Sequence, residues 1–234
     1  MNSERLIREF DALARDSGPA DADRRWVFES PAEAPIEPEE SIRCTEWVFG
    51  YGSLIWDPGF DHTESSLARV HGWHRAFCIH STVYRGTPAE PGIVLGLDRG
   101  GSADGLAFRL APGSQTQAIA YLYAREMPNR VYQARLVDTR LVDGRIVRAL
   151  TFVANRQSAS YARLSETEVL QRLSRCRGKR GPNRDYAVNT WRALASLGVQ
   201  DHRLGKMIAR LQQPELEFTP NGATALSAPE SAAP

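Results

Sequence analysis

Strand-type patterns fill the middle of this 234-residue chain, and helix-type patterns gather at its end. That order excludes a regular alternation of strand and helix. Trp47–Tyr51 (WVFGY) is an apolar run too short for a helix and punctuated by glycine. Arg75–Tyr84, Ile93–Asp98 and Gly105–Leu110 carry further strand patterns. Ser114–Glu126 breaks the series with helical spacing, placing Ala118, Ile119, Leu122 and Tyr123 on one side, and Pro128 stops it. Tyr132–Val142 and Arg145–Ala154 flank Asp143-Gly144, which predicts a hairpin closed by a two-residue turn. Three helical stretches follow, Ser165–Cys176, Asn183–Leu197 and Asp201–Leu211, and Ser165 with Glu168 forms a capping-box pattern. No repeat of 20 to 50 residues is visible. The fold class read from this order is α+β.

The folded body is expected over residues 47–212. Ahead of it, residues 1–46 form an N-terminal helix with an arm rich in proline and glutamate. In the helix, from Ser3 to Asp16, Leu6, Ile7, Phe10, Leu13 and Ala14 share a face; the arm carries Pro31, Pro35 and Pro38. Residues 213–234 are small, polar and proline-containing, and are expected to be a disordered tail. Twenty-nine basic residues against 28 acidic ones leave no electrostatic footprint for nucleic acid or an anionic membrane. No run approaches the roughly 20 apolar residues that would span a bilayer, and the charged N-terminus lacks the apolar stretch of a secretory signal. Cys44, Cys78 and Cys176 are too widely spaced for a zinc motif and odd in number for a disulfide framework. A reducing cytoplasm is the expected compartment.

Candidate chemistry concentrates in two places. The first is WVFGYGSLIWDPGF, Trp47–Phe60, where a strand runs into Gly50-Tyr51-Gly52-Ser53-Leu54. Glycine there permits positive φ and close approach to a ligand, and successive N–H groups can cradle an anion; a glycine-rich turn without a ligand is the alternative. The second is Glu126 in YLYAREM, at the end of a helix, where the dipole disfavours a carboxylate and raises its pKa. On position alone, a solvated glutamate paired with a neighbouring arginine is the plainer reading. His71 and His74 make an HxxH without a companion ligand motif, and Cys78 with His80 is the spacing of a buried structural cysteine as much as of a thiolate pair. Ser53 lacks a nucleophile elbow. The basic run Arg175–Tyr186 (RCRGKRGPNRDY) can contact a substrate carboxylate or simply join two helices.

Five segments in order, FGYGSLIW (Phe49–Trp56), STVYRGTPAEPGIVLGLDRGG (Ser81–Gly101), YLYAREM (Tyr121–Met127), ALTFVAN (Ala149–Asn155) and RGPNRDY (Arg180–Tyr186), closely resemble the ChaC family of glutathione-specific γ-glutamylcyclotransferases. The resemblance covers roughly Trp47–Leu211. It implies a γ-glutamylcyclotransferase-like mixed β-barrel with helices packed around it, and conversion of glutathione to 5-oxoproline and cysteinylglycine. No cofactor, metal, nucleic acid or membrane partner is implied, and the oligomeric state is left open. By position, Glu126 matches the catalytic acid/base. Phe49, Gly50, Tyr51, Gly52, Ser53, Leu54 and Ile55 match the substrate-cradling loop, and Tyr132 and Tyr161 resemble tyrosines of the γ-glutamyl pocket. Arg85 and Tyr186 lie in strong motifs, and Arg85 is grouped with the substrate-binding residues. Two other readings share the fold: a cyclotransferase for other γ-glutamyl amides, and a non-catalytic regulatory binding protein.

Overall fold

The structure, a computed structural model, describes residues 38–127 and 130–211. The N-terminal helix, most of the arm, Pro128 and the tail lie outside the described residues. Five strands close into a barrel: β1 (Trp47–Gly50), β2 (His62–Ser81), β3 (Gly92–Leu110), β4 (Tyr132–Leu141) and β5 (Ile146–Ala154). Their order around the barrel is β1-β3-β2-β4-β5, and β5 returns to β1 through parallel pairs, Trp47 with Ala149 and Val48 with Leu150. The other neighbours in that order are antiparallel, so the sheet is mixed.

Both faces of the central strands are covered, which explains their unbroken apolar runs. Along β1, Phe49 points with Leu95, Leu97, Ala107 and Val153 into one cluster, while Val48 joins Leu110, Leu150 and Phe152 in another beneath α2 (Gln115–Glu126). A one-turn helix, α1 (Glu40–Arg43), lies within the stretch read as an arm and adds Ile42 to the second cluster. The three C-terminal helices, α3 (Glu166–Arg175), α4 (Asn183–Ser196) and α5 (His202–Leu211), pack on the barrel around Ile93, Leu106 and Phe108. Ser165 caps α3 reciprocally with Glu168, and Asp201 caps α5 by accepting from the Leu204 amide at 3.0 Å.

Two strand readings need correction. Ile93–Asp98 and Gly105–Leu110 are one strand, and its partner runs from His62 and stops at Ser81, leaving Thr82–Tyr84 outside it. The two form a long hairpin whose middle is kinked. Gly72, Gly100 and Gly101 take positive φ there, and the register shifts between His71 and Trp73. The turn of the β4–β5 hairpin is also wider than predicted. Leu141 donates to the Arg145 carbonyl at 2.8 Å, and Gly144 alone in the turn has positive φ. That is a three-residue loop ending in a glycine bulge, because a two-residue type I′ turn needs two left-handed residues.

Candidate active site

The 51–57 loop is locked between two buried arginines. On one side Arg75 donates to the Tyr51 carbonyl at 2.7 Å, to the Asp104 carbonyl at 2.5 Å and to the Asp201 carboxylate at 2.5 Å. On the other, Arg125 from the last turn of α2 donates to the Asp57 carbonyl at 2.6 Å, the Tyr121 hydroxyl at 2.9 Å and Ser53 Oγ at 2.8 Å. Both arginine side chains are only 4% exposed. Between these clamps, residues Ser53–Ile55 make a single 3₁₀ turn. The amides of Gly52, Ser53 and Leu54 find no backbone acceptor among the described residues, as expected for the first turn of a helix.

The loop glycines are required by close approach rather than by handedness. Neither Gly50 nor Gly52 has positive φ. A Cβ on Gly50 would sit 3.0 Å from the Leu54 Cβ, and one on Gly52 would sit 3.3 Å from the Tyr186 hydroxyl. The expectation of left-handed backbone here is therefore replaced by one of tight packing against the site wall.

Glu126 closes α2 beside this loop. Its carboxylate lies 3.1 Å from Arg125 Nε and its side chain is 16% exposed. Burial raises its pKa above the ordinary carboxylate value; the Arg125 and Arg180 guanidiniums pull it down, and Asp57 raises it. The helix end read from the sequence is present, but loss of water is the largest cause of the shift. Three buried tyrosines stand around the carboxyl. Tyr51 donates to the Phe152 carbonyl at 2.7 Å, Tyr132 donates to the Leu95 carbonyl at 2.9 Å, and Tyr186 accepts from the Leu95 amide at 3.3 Å. Burial holds all three pKa values above the usual phenol range, so their hydroxyls stay protonated.

Two cavities meet at Glu126. The smaller, about 30 Å³, is lined by Tyr51, Gly52, Ser53 and Leu54 of the loop and by Tyr132 and Tyr186. The larger, about 180 Å³, opens outward past His80, Ser81, Tyr84, Arg85, Ser160 and Arg180. Ser53, Glu126, Tyr132 and Tyr186 line both. Phe49, Gly50 and Ile55 line neither; Phe49 and Ile55 are buried in core clusters. Tyr161 also lies outside both cavities and donates to the Asp98 carboxylate at 2.8 Å. Arg85 reaches the larger cavity while donating to the carbonyls of Arg180 and Pro182.

Sequence reasoning passed over Arg125 and Asn183. The buried Asn183 side chain accepts from the Ile93 amide at 2.6 Å and donates to the Ile93 carbonyl at 2.8 Å, mimicking a neighbouring strand and docking α4 on β3. An asparagine following proline at a predicted helix start was the available signal. The other candidates are structural. Burial pushes the Cys78 thiol up to about 12, so it is no thiolate partner for His80. His74 Nδ1 contacts the Gly100 carbonyl at 3.0 Å, and no three metal-ligating side chains converge among the described residues.

Residues 46–213 match the family model described as ChaC-like protein. A glutathione-specific gamma-glutamylcyclotransferase of Escherichia coli is 35% identical over 177 residues, covering 75% of this chain and 77% of that protein. Glutathione-specific gamma-glutamylcyclotransferase 1 of Mus musculus is 34% identical, covering 68% and 74%. Among solved structures, a yeast gamma-glutamyl cyclotransferase specific to glutathione superposes with a TM-score of 0.65 at 22% identity, over 70% of this chain and 94% of that one. The matched residues span the barrel and the helices packed on it, and the chain belongs to the ChaC-like protein family.

Proposed function

We propose that the chain is a glutathione-specific γ-glutamylcyclotransferase, releasing 5-oxoproline and cysteinylglycine, and that it works in a reducing cytoplasm. The observation that carries this reading is the position of the Glu126 carboxyl, its pKa raised by burial, at the junction of a small cavity and a wider one. Curated relatives named for the same activity support it.

The substrate carries its own nucleophile. Its α-amine attacks the γ-carbonyl, a new C–N bond closes the lactam, and the bond to the cysteinyl nitrogen breaks. Positioning of this kind lowers barriers by roughly 7–11 kcal/mol in well-oriented intramolecular reactions. Protons must leave the attacking ammonium and arrive on the departing amine. Glu126 takes a proton from the first nitrogen as carboxylate and delivers it to the second as acid, a service worth roughly 10²–10⁴-fold. Its raised pKa suits both halves. The amides of Gly52, Ser53 and Leu54 stabilise the substrate's carboxylate or the oxyanion that develops on the γ-carbonyl. Tyr132 and Tyr186 wall the glutamyl chain, and Phe49, Gly50 and Ile55 support the loop from behind. Tyr161 is assigned no contact with substrate in this scheme.

The test is 5-oxoproline release from reduced glutathione by the purified protein, with a chelator present. Wild type is expected to turn over, and Glu126→Gln to fold with an unchanged circular dichroism spectrum and form no detectable product. Near-normal turnover by Glu126→Gln removes that residue from the mechanism. Release only from other γ-glutamyl amides moves the assignment to a cyclotransferase of different specificity. The pH dependence has a defined sign. The free enzyme needs Glu126 ionised, so kcat/KM falls as pH drops through its raised pKa, and the acid limb lies above the ordinary carboxylate value.

A further inference from the structure

Three arginines, Arg85, Arg125 and Arg180, and one carboxylate, Glu126, line the wider cavity. Arg125 holds the loop, and Arg85 donates to the carbonyls of Arg180 and Pro182. Arg180 occupies a different position. It lies between two miniature strands, β6 (Arg177–Gly178) and β7 (Gly181–Pro182), which replace the plain helix–helix joint expected from the sequence. Backbone bonds from Lys179 to Val83 (2.8 Å) and from Arg180 to Tyr84 (2.9 Å) fasten this turn across the cavity rim. The Arg180 guanidinium stacks 5.1 Å over the Tyr84 ring. Its side chain is exposed at the rim, and its pKa is lowered first by loss of water and then by Arg125 and Arg85, against Asp57 and Tyr84, which raise it.

We propose that Arg180 is a specificity-determining residue that reads a free carboxylate on the leaving group, making the wider cavity a subsite for γ-glutamyl peptides rather than γ-glutamyl amines. The inference rests on the proposed function. The glutamyl unit occupies the loop side of Glu126, so the departing amine must extend into the cavity that leads to Arg180. A guanidinium fork matches a carboxylate in two parallel hydrogen bonds, and stacking on Tyr84 orders the fork before the ligand arrives. Because the turn is pinned by its backbone, the Arg180 side chain can be exchanged without releasing the rim.

The experiment compares glutathione with its glycine-amide analogue, which differs only in lacking the terminal charge. Wild type is expected to favour the acid in kcat/KM by about tenfold or more, as charge-assisted hydrogen bonds allow. Arg180→Met should lose most of that ratio through a higher KM for the acid; because Arg180 also pulls the Glu126 pKa down, the acid limb moves to higher pH for both substrates alike, and the ratio is read on the plateau above it. Arg180→Lys, which keeps the charge and loses the fork, should fall between the two and serves equally well if the Met variant does not fold. A purely structural role for Arg180 would depress both substrates together and leave the ratio intact; that result overturns the inference. Equal use of acid and amide by wild type overturns it too, while leaving the cyclotransferase assignment standing. Absence of product from either substrate removes the assignment itself and this inference with it.

Discussion

Arg75 and Arg125 grip the same loop from opposite sides, are equally buried, and differ in what their charge faces. Arg75 is paired with Asp201, which is 18% exposed and already fixed as the N-cap of α5, and it also donates to the backbone carbonyls of Tyr51 and Asp104. Its surroundings are closed. Arg125 spends its guanidinium on Ser53, Tyr121 and Asp57 and leaves Nε beside Glu126 at the edge of a cavity. A buried ion pair is weak evidence for stability in itself, since desolvation offsets much of the attraction. The contrast shows two uses of the same device. One cation joins elements far apart in sequence, and the other tempers how far burial raises the pKa of a neighbouring carboxyl.

The contrast can be broken by experiment. Arg125→Met should lower 5-oxoproline release by about 100-fold, roughly 2.7 kcal/mol in the barrier. The acid limb of the residual rate should move to higher pH, because the stronger of the two guanidiniums that pull the Glu126 pKa down is gone. A limb that stays in place would show that Arg125 acts on the loop alone. Arg75→Met should act on the other property. Stability measured by urea unfolding is expected to fall by about 3 kcal/mol, the lower end for breaking a buried pair because Asp201 keeps some contact with water. Turnover well below the unfolding midpoint should then change less than tenfold. If Arg75→Met abolishes turnover in folded protein, the two clamps are not functionally distinct. The smallest effect is expected for Ser53→Ala, which removes one acceptor from Arg125. A KM raised a few-fold with kcat nearly constant fits backbone amides as the main substrate contacts, whereas loss of kcat at unchanged KM assigns the hydroxyl a chemical part.

Local signals carried the C-terminal half of the fold. Helical patterning placed α3, α4 and α5 to within a residue or two, with a capping box marking the start of α3, and the β4–β5 hairpin was visible in its Asp143-Gly144 turn. The long β2–β3 hairpin was not, because the glycines that bend it interrupt the strand pattern. Barrel closure was invisible for another reason: parallel pairing of β1 with β5 joins residues about a hundred positions apart, and no local pattern records it. At the site, the helix end at Glu126 was legible, while the role proposed for it came from a family resemblance. Burial, the main cause of its altered pKa, depends on tertiary packing. Arg125 looked like an ordinary helix-end cation, and nothing in YLYARE reveals that its guanidinium turns inward to Ser53.

The unequal cavities on either side of Glu126 have a kinetic consequence for the proposed reaction. Cysteinylglycine would form in the wide, outward-opening chamber, while 5-oxoproline would form against Tyr51, Leu54 and Tyr132, behind the bond that breaks. In that scheme the dipeptide would depart first and the lactam second. Such ordered release makes 5-oxoproline a competitive inhibitor against glutathione, since both seek the empty site. Cysteinylglycine, which rebinds only while the lactam is still present, inhibits in a mixed, noncompetitive pattern.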